Sequence, residues 1–315
     1  MAGGSTRRLD LKSGSGPTVR FVTSSRTALG AINLGHQGFG AMRLRVTDSA
    51  DPDRDPFRVI DAALDAGVRM IDTADAYQNE DLVGRAIARC RDDVVLASKF
   101  GLVWHDDVAE GFDVRADAEY VRQACEASLR RLRTDRIDLY YLHHRSDTVP
   151  IEETIVAMTG LLDAGKIGAI GLSNVTAEDL KRAHAVHPVT ALQEQWSLSA
   201  RSIESTLAQT AAALGITIVA HSPTSHGALH EPRGHVRTDD AKQETLREIA
   251  AAHEASVGQI ALAWVHSRGP SYGADVVPLP GTTRVGHARA NIAAASINLA
   301  PAELTRLDNA WSMTT

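Results

Sequence analysis

Cysteine is nearly absent: Cys90 and Cys125 are the only two in a chain of 315 residues. No disulfide framework or cysteine-based zinc site can be built from so few, and two reduced thiols at helical positions point to a reducing, cytoplasmic compartment. Long apolar runs are missing as well. None approaches the ~18 residues that would suggest a membrane span. Residues 1–17 carry two arginines but no apolar core of the kind a secretory signal needs, and their glycine and serine content fits a disordered leader. Basic charge is in deficit, with 33 Lys and Arg against 39 Asp and Glu and a net charge of -6. That balance argues against nucleic acid or an anionic membrane as the main partner. Lysine itself is scarce: Lys12, Lys99, Lys166, Lys181 and Lys242 are the whole set, so a lysine ending a hydrophobic strand needs a reason.

A complete dinucleotide fingerprint is also lacking. Gly38-Phe39-Gly40-Ala41-Met42-Arg43 has the first two glycines of G-x-G-x-x-G but arginine at the third, with no helical pattern behind it. This weighs against a doubly wound open sheet, the runner-up architecture.

What the chain does have is rhythm. Apolar runs of four to six residues alternate with short loops and helical periodicities of 10–18 residues. The strands expected are Asn33–Phe39, Arg69–Asp72, Val94–Ser98, Ile137–Leu142, Ala169–Leu172, Ala191–Glu194, Ile216–Ala220 and Val276–Pro278. Between and after them lie helical patterns at Phe57–Ala66, Leu82–Arg91, Ala118–Leu132, Thr154–Leu162, Ala177–Ala185, Ser202–Leu214, Asp240–His253, Val257–Ser267, Val285–Ala294 and Ala302–Ala310. Thr176 reads as an N-cap, Pro301 as a first helical residue, and Gly67 and Gly165 as helix stops. Runs such as VVLAS are apolar throughout rather than alternating, as strands covered on both faces are. Eight such strands without a break in composition predict one α/β domain over residues 18–315. Its form is a (β/α)₈ TIM barrel, with extra helices near the C-terminus.

In a barrel, chemistry collects where strands end. Those positions hold a carboxylate (Asp72), a phenol (Tyr77), an amine (Lys99) and an imidazole (His143). Each alone has a plain structural use, as a cap, a rim aromatic or a strand-end charge. Together they suit proton donation to a carbonyl oxygen. Tyrosine, with a pKa of ~10, is a poor acid at neutral pH; a nearby ammonium lowers it, and a carboxylate keeps that ammonium charged. The imidazole can orient the carbonyl or assist the transfer.

These segments resemble the aldo-keto reductase family from about Leu29 to Leu307: IDTADAYQNEDLVGRAI, VVLASKFG, DRIDLYYLHHRSD, AGKIGAIGLSN and VVPLPGTTRVGHARANI match its motifs in order. The resemblance implies a barrel closed at the bottom by an N-terminal β-hairpin, here Val19–Ile32, and NADPH rather than NADH bound without a Rossmann fold. It makes Tyr77 the general acid, tuned by Lys99 and Asp72, with His143 orienting the carbonyl. Gly40, Ala41 and Met42 would supply backbone near the nicotinamide, and Ser173, Asn174 and Gln193 would hydrogen-bond its carboxamide. Ser222, Thr224 and Gly227 would cover the pyrophosphate; Gly281, Thr282, Arg284, His287 and Asn291 would hold the adenosine phosphate and adenine. On the substrate side stand Phe100, Trp104 and His144. The partner implied is a small carbonyl compound, the state a monomer or weak homo-oligomer.

Two departures matter. His221 stands where the family has tyrosine stacked on the nicotinamide, and Ala290 where a glutamate often precedes the asparagine. Histidines 226, 230 and 235 are irregularly spaced without cysteine, so no metal site is expected. Other classes stay open: a nucleotide-binding regulatory subunit of the same fold, or a barrel enzyme forming a Schiff base on Lys99.

Overall fold

The computed structural model describes residues 32–46, 50–104, 111–229 and 240–312. The expected leader, the expected hairpin (but for Ile32), His230 and His235 lie outside them. Within them, eight parallel strands form the barrel: β1 Gly38–Gly40, β2 Met70–Asp72, β3 Val95–Phe100, β6 Leu139–Leu142, β7 Ile170–Ser173, β8 Ala191–Gln195, β9 Thr217–His221 and β10 Val276–Leu279. Each pairs in parallel with the next of these in chain order. The ends of the series meet through a parallel bridge between Gly40 and Gly281, with the Gly40 N–H donating to the Pro280 carbonyl at 3.0 Å. A Cβ on Gly281 would stand 2.6 Å from the Gly40 carbonyl oxygen, so the closure depends on glycine there.

Helices α1 Pro56–Asp65, α2 Glu80–Ile87, α3 Ala118–Leu132, α4 Ile151–Asp163, α5 Ala177–Val186 and α6 Leu207–Ala213 alternate with the strands. After β9 come α7 Asp240–Ala252, α8 Val257–His266 and the short α9 Arg268–Tyr272; α10 Val285–Ala293 and α11 Pro301–Ala310 follow β10. Local chemistry sets their ends. Thr176 and Asp179 form a reciprocal capping box on α5, Asp55 caps α1 ahead of Pro56, and Gly67 and Gly165 take the left-handed backbone that stops a helix. Cys125 is buried in α3 and Cys90 lies just past α2; burial raises both thiols, Cys125 to about 12, so neither is a reactive thiolate near neutral pH.

Two apolar clusters hold the fold. The larger fills the layer between helices and strands; the smaller includes Met70, Ala97, Leu139, Tyr141, Ala191 and Val219 on the barrel strands. Gly171 makes room for the fully buried Tyr141, because a Cβ there would overlap the tyrosine ring. Among the described residues no helix is long and apolar enough to cross a membrane.

One expectation needs correction. The first strand does not begin at Asn33: residues 32–37 are irregular, with Gly35 at φ +76, and pairing starts only at Gly38 opposite Met70. The loop after β3 has structure of its own. It carries an antiparallel ribbon, β4 Leu102–Trp104 with β5 Phe112–Val114, across which Trp104 meets Phe112 edge-on at 5.6 Å.

Candidate active site

Asp72 ends β2, and the parallel register sets it beside Ala97, two residues before Lys99 on β3. Side chains two apart on a strand share a face, so the lysine reaches the same end of the barrel as the carboxylate. Its ammonium donates to Asp72 Oδ1 and, at 3.0 Å, to the Thr73 carbonyl. Asp72 Oδ2 accepts from Gln193 Nε2 at 2.9 Å. Both members of the ion pair are buried, at 1% and 3% side-chain exposure.

The chain leaves β2 through a single 3-10 turn, Asp75–Tyr77, which Gln78 ends in the left-handed conformation. This turn presents the Tyr77 hydroxyl 3.5 Å from Lys99 Nζ, with the ammonium 5.0 Å from the ring centroid. Asn79 holds the turn down. It accepts from Thr73 Oγ1 at 2.6 Å and donates to the Ala41 and Leu44 carbonyls at 2.8 and 3.2 Å. His143, directly after β6, stands edge-on to Tyr77 with ring centroids 5.6 Å apart. Its Nδ1 is buried without a hydrogen-bond partner.

Burial dominates the electrostatics. It opposes the charge on Lys99, but the Asp72 carboxylate, together with the hydrogen bonds to Asp72 and the Tyr77 hydroxyl, prevails and holds its pKa above the ordinary value. Tyr77 departs from expectation. Burial raises its pKa and outweighs the pull of Lys99, so the phenol stays protonated throughout the neutral range. His143 is depressed to about 2, first by burial and then by Lys99, His221 and His144. It is therefore a neutral imidazole, able to form hydrogen bonds but carrying no proton to give as an acid. His221 falls to about 4 for the same reasons, burial ahead of Lys99 and His226. Asp75, which opens the turn after β2, is pushed up to about 7 by burial beside Glu80.

A cavity of about 1100 Å³ opens over these groups. Asp72, Tyr77 and His143 line it together with Gly40, Met42 and Trp104. Ser173, Asn174, Gln193 and His221 line it from the next strand ends, and Ser222, Thr224 and Gly227 from the loop after β9. Gly281, Thr282, Arg284, His287 and Asn291 complete the same wall. Lys99 lies beneath the lining, reached through Asp72 and Tyr77.

Three expected residues are not brought to the cavity. Phe100 is fully buried and stacked on Tyr140 at 4.9 Å, since as the last residue of β3 it faces the helix layer. His144 packs edge-on against Phe112 and its Nδ1 meets the Arg145 carbonyl at 2.8 Å. Ala41 is buried, with its N–H donating to the Asp72 carbonyl and its own carbonyl accepting from Asn79. Conversely, Arg54, Leu102 and Ser256 line the cavity without having been singled out, and Arg43 and His226, named above for other reasons, line it as well. The acidic, proline-bracketed run Asp51-Pro52-Asp53-Arg54-Asp55-Pro56 was the available sign for Arg54, yet nothing in sequence ties it to α10. Among the described residues no three of His, Cys, Asp and Glu converge as metal ligands.

An eight-stranded parallel barrel whose strand ends gather a phenol, an ammonium and a neutral imidazole under one long cavity defines a class of barrel oxidoreductases that need no Rossmann domain. The chain belongs to the aldo/keto reductase family, whose model matches residues 37–312. Among solved structures it is similar to the glycerol dehydrogenase of Gluconobacter oxydans, at 27% identity and TM-score 0.78 over 88% of this chain and 91% of that one. It is also similar to a Klebsiella pneumoniae aldo-keto reductase in complex with NADPH, at 30% identity and TM-score 0.73 over 88% and 91%. A Bacillus halodurans aldo-keto reductase in its holo form matches at 27% identity and TM-score 0.74 over 87% and 91%.

Proposed function

We propose that the protein reduces an aldehyde or ketone to an alcohol with NADPH, using Tyr77 as the proton donor. NADPH, when bound, supplies the hydride to the carbonyl carbon. The protein's part is to place the carbonyl oxygen within reach of Tyr77 and His143. The Tyr77 proton passes to that oxygen as the carbon is reduced, and the phenolate left behind is stabilised by the Lys99 ammonium 3.5 Å away. Asp72 keeps Lys99 charged in its buried site. Neutral His143 orients the oxygen by hydrogen bond; of the two roles open to it, proton assistance does not suit an imidazole whose pKa lies near 2.

The observation that carries this reading is the position of Tyr77: a protonated phenol on the cavity wall beside a buried, charge-compensated ammonium. The rest of the wall suits a dinucleotide. Asn174 gives its amide nitrogen to the His143 carbonyl at 2.8 Å, so a carboxamide N–H would meet its oxygen. Ser173 and Gln193 stand beside it, and Ser222, Thr224 and Gly227 suit the pyrophosphate. Gly281, Thr282 and Arg284, leading into α10, with His287 and Asn291 along it, suit the adenosine phosphate and adenine. Trp104, half exposed on its ribbon, is the remaining substrate-side candidate. NADPH oxidation against a panel of aldehydes and ketones tests the reading. Turnover with at least one carbonyl is expected; tight NADPH binding without turnover on any would favour the regulatory subunit instead.

A further inference from the structure

Arg284 lines the cavity but does not face it as an uncompensated charge. Its Nη1 lies 2.9 Å from Asp53 Oδ2 and 3.9 Å from Asp51 Oδ2. The other Asp53 oxygen accepts the Gly286 N–H, in the first turn of α10, at 3.0 Å. One carboxylate thus engages both the arginine and a backbone donor that would attract a phosphate to this wall.

This carboxylate is held in place. Asp51 accepts the Asp53 N–H at 3.0 Å, Pro52 opens a 3-10 turn through Arg54, and Asp55 caps α1 at Pro56. Two prolines fix φ on either side of Asp53 and leave the segment few conformations in which to withdraw. Charge is balanced locally. Arg54, also on the cavity wall, lies 3.6 Å from Asp51, so the two aspartates offset the two arginines.

We propose that Asp53 is a specificity-determining residue that weakens binding of a 2′-phosphate and so narrows the preference for NADPH over NADH. The inference rests on the cofactor reading above, which sets the adenosine end against Arg284. A phosphate monoester carries a charge near -2 at neutral pH. Arriving here it gains the attraction of Arg284 but meets the carboxylate already paired with it. NADH, with a hydroxyl at that carbon, feels neither.

Asp53→Asn in the full-length enzyme isolates the charge, because asparagine keeps an acceptor for the Gly286 N–H. Dissociation constants for NADPH and NADH are read by fluorescence titration at low and physiological salt, with thermal midpoints as a check on folding. NADPH should tighten by about three- to tenfold while NADH stays within about twofold, and the gain should shrink as salt screens the site. Asp51→Asn, farther from Arg284, should act in the same sense but less. An equal change for both cofactors would mean a merely structural role, and no change or a loss for NADPH would equally overturn the inference. If the unsubstituted enzyme binds neither dinucleotide, the cofactor reading itself falls and this inference with it.

Discussion

Replacing Asp72 by asparagine would remove one charge and almost no volume from a site where both partners are buried. Lys99 would keep the Thr73 carbonyl at 3.0 Å, and with the one asparagine oxygen turned to Gln193 the lysine loses its second acceptor together with the carboxylate's charge. Breaking a buried pair in this way leaves an uncompensated ammonium and costs about 3–5 kcal/mol, a large share of a total stability of roughly 5–15 kcal/mol. The double variant Asp72→Asn with Lys99→Met should recover most of that, to within about 2 kcal/mol of the native enzyme, since no buried charge remains. Urea unfolding at several pH values is the assay, and the slopes differ in sign. In the native enzyme the raised Lys99 pKa contributes stability that is fully present below the unfolded value of about 10.4 and is lost as pH rises through the folded value. In Asp72→Asn, burial is no longer opposed, the folded value falls, and stability instead rises with pH towards 10. A loss below about 1 kcal/mol, with the native pH slope retained, would refute the charged-pair argument.

Tyr77→Phe should cut turnover by about 10²–10⁴ on whichever carbonyl the panel identifies, with NADPH affinity within about twofold; retained turnover would remove the acid assignment. Because His143 sits near pKa 2, it stays neutral from pH 5 to 9, and the rate profile should show no inflection belonging to it. An inflection near pH 6.5 that disappears in His143→Gln would contradict this. Gly171→Ala should destabilise the barrel by about 1–3 kcal/mol through overlap with Tyr141, measured by thermal unfolding, and should be relieved by Tyr141→Phe no more than slightly, since the clash is with the ring.

The barrel was legible because parallel strands covered on both faces are apolar throughout, and seven of the eight expected strands overlap the observed ones closely. The first failed for a physical reason. Ile32 and Leu34 have the right polarity, but Gly35 turns the backbone and no neighbour pairs before Gly38. The ribbon of β4 and β5 escaped because three-residue strands, largely open to solvent, leave no burial pattern to read. Of the four central candidate residues, the sequence supplied identities and order, while register decided which met: Lys99 reaches Asp72 because Ala97 pairs with it. The Tyr77 pKa was misjudged because charge can be counted in a sequence and desolvation cannot. Asp53 was invisible, since its partners lie more than two hundred residues away.

The join between Gly40 and Gly281 has a thermodynamic meaning beyond geometry. One short seam, marked by the Gly40–Pro280 hydrogen bond, unites the two strands at opposite ends of the barrel's sequence, and both glycines line the cavity. A ligand lying across that seam acts as a non-covalent staple, restricting the chain as a crosslink between distant positions would. Saturation at 100 times Kd adds about 2.7 kcal/mol to the folded state. Occupancy and fold integrity are then two readings of a single equilibrium.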